Sequence, residues 1–185
     1  MYKKRNFKLF LISGKARSGK DEVARIISNY YTDLDVITLS FGHYVKQYAK
    51  GISNWDGSEE TKPRTLLQNI GIELIRDNID DKLFIRRMIE DIEVYSYFYD
   101  VIVVNDVRLK SELYDLKDKY PNSISVRVNR LNFDNKLNNE EKNHATEIEL
   151  DNAAFDYVIN NTGDYEELIK NTNDVLGRCY ESNSD

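Results

Sequence analysis

One cysteine, two histidines and two prolines among 185 residues exclude several classes of protein before any motif is considered. Cys179 has no second cysteine to pair with, so no internal disulfide is expected and a reducing, cytoplasmic setting is the simplest reading. His43 and His144 stand alone, which rules out a histidine-rich metal site and any Cys/His set with zinc spacing. No Pro/Gly-rich linker and no repeat divides the chain, so residues 1–185 are expected to form a single domain. Long apolar runs are missing too. After the basic stretch Met1-Tyr2-Lys3-Lys4-Arg5-Asn6, the run Phe7–Ile12 is interrupted by Lys8 and is too short for a signal segment or a membrane span. It reads as a first strand. The formal charge of −6 also argues against a general DNA or RNA binder, whose phosphate contacts need a basic face. Neither a membrane nor a nucleic-acid polymer is therefore an expected partner, and an anionic ligand must be met by a local cluster of Arg and Lys. Self-association as a homodimer is left open by the sequence.

What is present is a 41% hydrophobic chain with enough apolar content for an ordinary core. Five short runs rich in β-branched residues stand out: Phe7–Ser13, Asp35–Ser40, Val101–Asp106, Ile124–Asn129 and Tyr157–Asn160. Val101-Ile102-Val103-Val104 has no polar alternation, which suits a strand covered on both faces of a parallel sheet. Helical patterns lie between the runs. Val23, Ile26, Ile27 and Tyr30 recur at i, i+3, i+4 and i+7; Leu66, Leu67, Ile70, Leu74 and Ile75 make a second stripe. Phe84, Ile85, Met88, Ile89 and Ile92 make a third, and Leu109–Lys119 and Tyr165–Leu176 read as further helices. Strands alternating with helices predict a doubly wound, three-layer α/β/α domain on a five-stranded parallel sheet. The roughly sixty residues between the second and third strands break the alternation and predict a helical insertion over 41–98. The polar stretch Asn129–Asn143 is either a surface loop or part of a lid-like segment over 129–145, and Glu181–Asp185 reads as a frayed tail.

Gly14-Lys15-Ala16-Arg17-Ser18-Gly19-Lys20 follows the first apolar strand and opens an amphipathic helix, the context that a phosphate-binding loop requires. Glycines let backbone N–H groups turn inward around phosphate oxygens, the helix N-terminus adds its positive end, and Lys20 reaches the β and γ phosphates as a point charge. ATP with Mg²⁺ is the expected ligand, and the fold class becomes that of the P-loop NTPases. The usual Ser or Thr after the lysine, a Mg²⁺ ligand, is replaced by Asp21. A carboxylate is still an oxygen ligand for Mg²⁺, although Asp21 and Glu22 are also simply favourable in a first helical turn. Lys15 and Arg17 either add cations near the transferring phosphoryl group or point to solvent from the loop tip.

The segment Ser13–Asp21 resembles the phosphate loops of two related kinase groups that use Asp in place of Ser or Thr: the bacteriophage-type deoxynucleoside monophosphate kinases and the animal-type phosphomevalonate kinases. Arg64-Thr65-Leu66-Leu67-Gln68-Asn69-Ile70-Gly71 followed by Arg76 is similar to a helix of the phage-type kinases, and Val103-Val104-Asn105-Asp106-Val107-Arg108 followed by Glu112 looks like their strand-end Asp-x-Arg. His144-Ala145-Thr146-Glu147, with Leu150-Asp151, Phe155–Asn161 and Gly163, resembles the closing segment of both groups. Asn129–Asn143 matches neither. The resemblance implies a nucleoside-monophosphate-kinase-like fold whose helical insertion binds the acceptor.

Asp106 ends an apolar strand, where ligands gather in open α/β sheets; the resemblance implies that it holds Mg²⁺ beside Asp21, and a plain turn residue is the alternative. Arg108 either clamps the acceptor phosphate or pairs with Glu112 at i+4. Arg64 and Gln68 share a helix face and read as acceptor-binding residues or as a solvated face, with Arg76 a further acceptor candidate. Arg127 and Arg130 are lid candidates or surface residues. Arg86 and Arg87 read as the exposed side of the third helix, and His144 as a lid hinge or surface residue. Asn161 and Gly163 follow the last strand, where backbone groups hold an adenine or simply make a strand-to-helix turn. His43, Tyr44, Tyr48 and Trp55 are flat side chains able to stack on a base, or else ordinary core. The catalytic set is thus expected to be Lys20, Arg17, Asp106 and Arg108, with ATP also held by Gly14, Lys15, Ala16, Ser18, Gly19 and Asp21. The expected partners are small nucleotides and the expected reaction is phosphorylation of a deoxynucleoside monophosphate; phosphomevalonate is the alternative acceptor, and a non-catalytic nucleotide-binding regulator the alternative class. A GTPase is disfavoured, because Asn135-Lys136-Leu137-Asn138 lacks the final carboxylate that reads guanine.

Overall fold

The computed structural model describes residues 2–131, 133, 137 and 142–181. The middle of the expected lid, with most of the Asn135–Asn138 run, and the tail beyond Glu181 lie outside the described residues. Five parallel strands, β1 (Lys8–Ser13), β2 (Val36–Leu39), β3 (Val101–Val107), β4 (Ile124–Arg130) and β5 (Tyr157–Asn161), lie in the order β2-β3-β1-β4-β5. Each falls within a residue or two of its apolar run.

The unbroken apolar runs are explained by burial on both faces. Phe10, Ile12, Val101 and Val103 pack on one side against α1 (Lys20–Tyr30) and α7 (Tyr165–Glu181), through Val23, Ile26, Ile27, Leu168, Val175 and Leu176. Leu9, Leu11, Ile102 and Val104 pack on the other against α2 (Phe41–Ser53), α4 (Leu83–Tyr95) and α5 (Lys110–Lys119). Successive side chains of a strand point to opposite faces, so a strand buried on both has no reason to alternate. Tyr30 departs from its stripe: it is 38% exposed, and the adjacent Tyr31 enters the core instead.

The helices after the neighbouring strands β1 and β3 leave on opposite faces, which opens a crevice at the carboxyl ends of those two strands. At that point the β1–β3 register slips: Leu11 faces Val104 but Ser13 faces Val107. The extra residue in β3 falls at Asn105–Asp106, and such a bulge re-aims the side chains it carries.

The insertion is helical, as expected, but not in the expected register. After α3 (Arg64–Gln68) the chain continues as a π-helical segment, Asn69–Ile79. Its i→i+5 bonding brings Ile75 below Ile70 in a small core with Ala49 and Trp55, whereas Leu74, placed on the stripe by α-helical spacing, is 48% exposed. No helix among the described residues is long and apolar enough to cross a membrane. The π register separates two adjacent aliphatic residues. Ile75→Ala should cost roughly 2–4 kcal/mol in chemical denaturation and Leu74→Ala less than about 1; equal costs would restore the α-helical stripe.

Candidate functional site

The loop between β1 and α1 is closed on itself by contacts that only glycine permits. A Cβ on Gly14 would lie 2.5 Å from both Ser18 Oγ and the Val128 carbonyl, and one on Gly19, at φ 100°, would lie 2.5 Å from Asn161 Nδ2. Arg17 adopts a left-handed φ of 60° without being glycine, a strained conformation of the kind that clusters at ligand-binding turns. Asn161 is buried and donates from Nδ2 to the Ser18 carbonyl at 2.9 Å, while its Oδ1 accepts the Gly163 N–H at 2.9 Å. The Asn161 side chain is therefore committed to bolting the loop to β5.

Lys20 folds back into this loop. Its Nζ donates to the Gly14 and Lys15 carbonyls at 2.8 and 2.7 Å, and only 7% of the residue is exposed. Burial, reinforced by the positive charge of Arg108, lowers its pKa to about 7, while the negative charges of Glu147, Asp106 and Asp21 pull the other way. Asp106 accepts the N–H groups of Phe41 and Gly42 at 2.7 and 2.8 Å, so it caps the start of α2, and burial moves its pKa upward. Asn105 donates to Asp21 at 2.7 Å, and its own Oδ1 is buried with no donor among the described residues. The donor set fits Mg²⁺, which takes one or two carboxylates together with phosphate oxygens and water: Asp21 and Asp106 would hold it, and the orphaned amide oxygen suits one of its waters. Among the described residues there is no group of three or more metal-ligating side chains.

A cleft of about 810 Å³ brings together Ala16, Arg17, Lys20, Asp21, Asp106 and Arg108 with Arg64, Gln68 and Arg76 of the insertion. Lys15, Ala16, Ser18, Arg127 and Arg130 line a smaller one, of about 480 Å³, on the β4 side of the loop; Asn161 and Gly163 line neither. Arg64 is half-exposed with Glu59 4.0 Å away, and Arg76 reaches Glu149 at 3.1 Å. Arg127 is held beneath the loop by Ser13 Oγ and Asp151, both at 2.9 Å, and so is not carried on a lid. Arg130 reaches the Arg17 carbonyl at 3.3 Å and stacks on Phe133. Lys15 pairs with Asp151 at 2.7 Å.

Several readings of the sequence are decided or corrected by the side-chain contacts. Arg108 does not form a side-chain ion pair with Glu112. Glu112 instead takes the Arg108 and Leu109 N–H groups at 2.7 and 3.1 Å, as a cap for α5, and the Arg108 guanidinium pairs with Glu147. None of His43, Tyr44, Tyr48 or Trp55 lines the large cleft; for Tyr44 and Trp55 the ordinary-core alternative holds, and the aromatic rings that do line it are Phe41 and Phe84. His144 caps the short helix α6 (Ala145–Ile148) by accepting the Thr146 N–H. Arg86 does lie at the exposed side of α4, paired with Asp80, but Arg87 is half-buried over the Tyr44 ring.

Glu147 was given no role by the sequence. It is 6% exposed, it accepts the Ala16 N–H at 2.8 Å, and it pairs with Arg108. No local signal marks it, because its partners lie 131 and 39 residues away.

A family model described as deoxynucleotide monophosphate kinase matches residues 35–172. No match was found among curated protein sequences. Among solved structures, the chain is similar to the Mycobacterium tuberculosis APS kinase CysC in complex with AMPPNP and APS, with a TM-score of 0.57 and 13% identity over 94% of this chain and 99% of that one. It is also similar to shikimate kinase from Bacteroides thetaiotaomicron (TM-score 0.54, 10% identity, 92% and 97% covered) and to dephospho-CoA kinase from Campylobacter jejuni (0.52, 14%, 93% and 97%). At these identities the structures establish a shared fold, that of the P-loop kinases.

Glu112 supplies a pH test. Burial pushes its carboxyl up to about 8, aided by the negative charge of Asp106 and opposed by the N–H groups it accepts. A carboxyl raised above its unfolded value contributes stability that is complete below about pH 4.5 and lost as the pH rises through about 8. The stability of the wild type relative to Glu112→Gln should therefore fall by about 1–3 kcal/mol between those limits, several degrees in melting temperature. A pH-independent difference would mean that Glu112 is ionised throughout.

Proposed function

The chain belongs to the deoxynucleotide monophosphate kinase family, and from that premise we propose that it transfers the γ-phosphoryl group of ATP to the phosphate of a deoxynucleoside monophosphate. The observation that carries the proposal is one continuous cleft lined by the phosphate loop, Asp21, Asp106 and Arg108 together with Arg64, Gln68 and Arg76. ATP phosphates lie at the loop and the start of α1, with Lys20 turning from the Gly14 and Lys15 carbonyls to the β and γ positions. Asp21 and Asp106 would hold Mg²⁺, which would neutralise phosphate charge. Arg108, at the end of β3, takes the acceptor phosphate. The acceptor oxygen forms a bond to the γ phosphorus as the bond to the bridging oxygen of ADP breaks, and the products are ADP and the deoxynucleoside diphosphate.

The attacking oxygen already carries negative charge, so no general base is required; positioning and charge stabilisation do the catalysis. The nucleoside lies between Phe41, Phe84 and the π-helical segment. Gln68 offers an amide to a base edge, a contact with no use against the branched aliphatic chain of phosphomevalonate. The cytoplasm, with its ATP and Mg²⁺, is the proposed setting.

Purified protein should convert at least one of the common deoxynucleoside monophosphates to its diphosphate with stoichiometric ADP. Faster conversion of phosphomevalonate would replace the acceptor assignment, and no product from either would leave a nucleotide-binding regulator. Lys20→Ala should lower kcat by about 10²-fold or more, the scale of a lost transition-state electrostatic group; retention of over about a tenth of the rate would remove Lys20 from the mechanism. Asp21→Asn should raise the Mg²⁺ concentration for half-maximal rate. An unchanged Mg²⁺ dependence with a lower melting temperature would assign Asp21 to the helix terminus alone.

A further inference from the structure

The segment from α6 to Asp151 lies across the site and carries an acid at every second position. Glu149 accepts the Lys110 N–H at 2.8 Å and pairs with Arg76 at 3.1 Å, and Asp151 pairs with both Lys15 and Arg127. Glu147 differs from these two. Its carboxylate is almost fully buried, and its two oxygens go to the two halves of the site: Oε2 takes the Ala16 N–H of the phosphate loop at 2.8 Å, and Oε1 takes the Arg108 guanidinium.

We propose that Glu147 is the positioning residue that holds the ATP-binding loop and the acceptor-binding Arg108 in a fixed mutual geometry, so that donor and acceptor are aligned before either binds. This rests on the reading of Arg108 as the acceptor phosphate ligand. A carboxylate near two phosphate sites repels both ligands unless an opposite charge offsets it, and here the Arg108 guanidinium does so while the Ala16 N–H satisfies the second oxygen. The segment is anchored rather than poised to leave: Leu150 is 2% exposed and packs in the core with Val104 and Val107, and His144 caps the helix that carries Glu147. Among the described residues Glu147 is the only carboxylate paired with the Arg108 side chain, whose remaining contact is the Thr146 carbonyl at 3.4 Å. Glu147 also offsets the positive charge of Arg108 that acts on Lys20. Reactions of this kind depend on alignment, and small misplacements are costly.

The first test needs no substrate. Hydrogen–deuterium exchange of the loop peptide 14–20 in the ligand-free protein should accelerate about tenfold in Glu147→Gln, which loses the charge-assisted bond. It should also rise in Arg108→Ala, which frees the carboxylate without touching the loop; an unchanged loop in Arg108→Ala overturns the linkage. The second test is kinetic. With the acceptor identified by the screen, Glu147→Gln should lower kcat/KM for that acceptor about 30-fold or more, and Arg108→Ala further. The double variant should be within about threefold of Arg108→Ala, because the two residues act as a unit. Losses that multiply would overturn the proposal. Glu147→Asp keeps the charge but is a methylene too short to span both partners, so it should fail like Glu147→Gln; full rescue would reduce the role to charge alone. Absence of turnover in the wild type refutes the kinase reading and leaves loop exchange to decide the role of Glu147.

Discussion

A lysine side chain buried under the end of a parallel sheet is expensive, and the site is organised around that cost. Burial of Lys20 lowers its pKa to about 7, and a depressed lysine is one that the protein holds partly against its preference for water. Two loop carbonyls accept from it, three carboxylates lie within electrostatic reach, and Gly14 and Gly19 allow the loop to close around it. A phosphate bound there would add negative charge beside the lysine. The loop is in this sense an anion site built before its anion arrives, and its stability is drawn from the sheet below and from Asn161 at its side.

The same consideration explains how a chain of net charge −6 assembles so many cations in one place. Lys15, Arg76, Arg108 and Arg127 converge on the site, and each is met by an acid from the segment between Glu147 and Asp151. Unpaired, they would repel one another across a partly desolvated cleft. Paired, they are held in place at modest net cost, since three of the pairs are partly exposed and weak individually. The pair made by Glu147 is the buried exception, where loss of one partner leaves a stranded charge.

Features that depend on neighbours in sequence could be read from the sequence. The strands were visible because a parallel strand buried on both faces is an apolar run, and the phosphate loop because its chemistry requires fixed spacing within seven residues. Features that depend on long-range geometry could not. The π-helical register around Ile75 follows from packing against Ala49 and Trp55, and nothing in Asn69–Ile79 departs from an α-helical pattern. Tyr44 and Trp55 have the composition of a base-stacking set, yet their surroundings make them core, while Phe41 and Phe84 reach the cleft. Arg108 and Glu112 have ideal spacing for an ion pair, but a bulged strand and a helix cap turn the carboxylate to the backbone.

Glu147 combines these limits. Its segment bears a family resemblance, but the resemblance concerns composition and order, not contacts. Its importance lies in closing a path between two strand ends: β1 delivers Ala16, β3 delivers Arg108 after its bulge, and α6 returns from beyond β4 to join them. Each strand end is fixed by the sheet to which it belongs, yet the loop and the arginine both extend past the last ladder bond. Beyond that point the sheet no longer sets their separation. A side chain that bonds to both restores the constraint at the point where phosphoryl transfer requires it, which accounts for a buried carboxylate in a site built for anions.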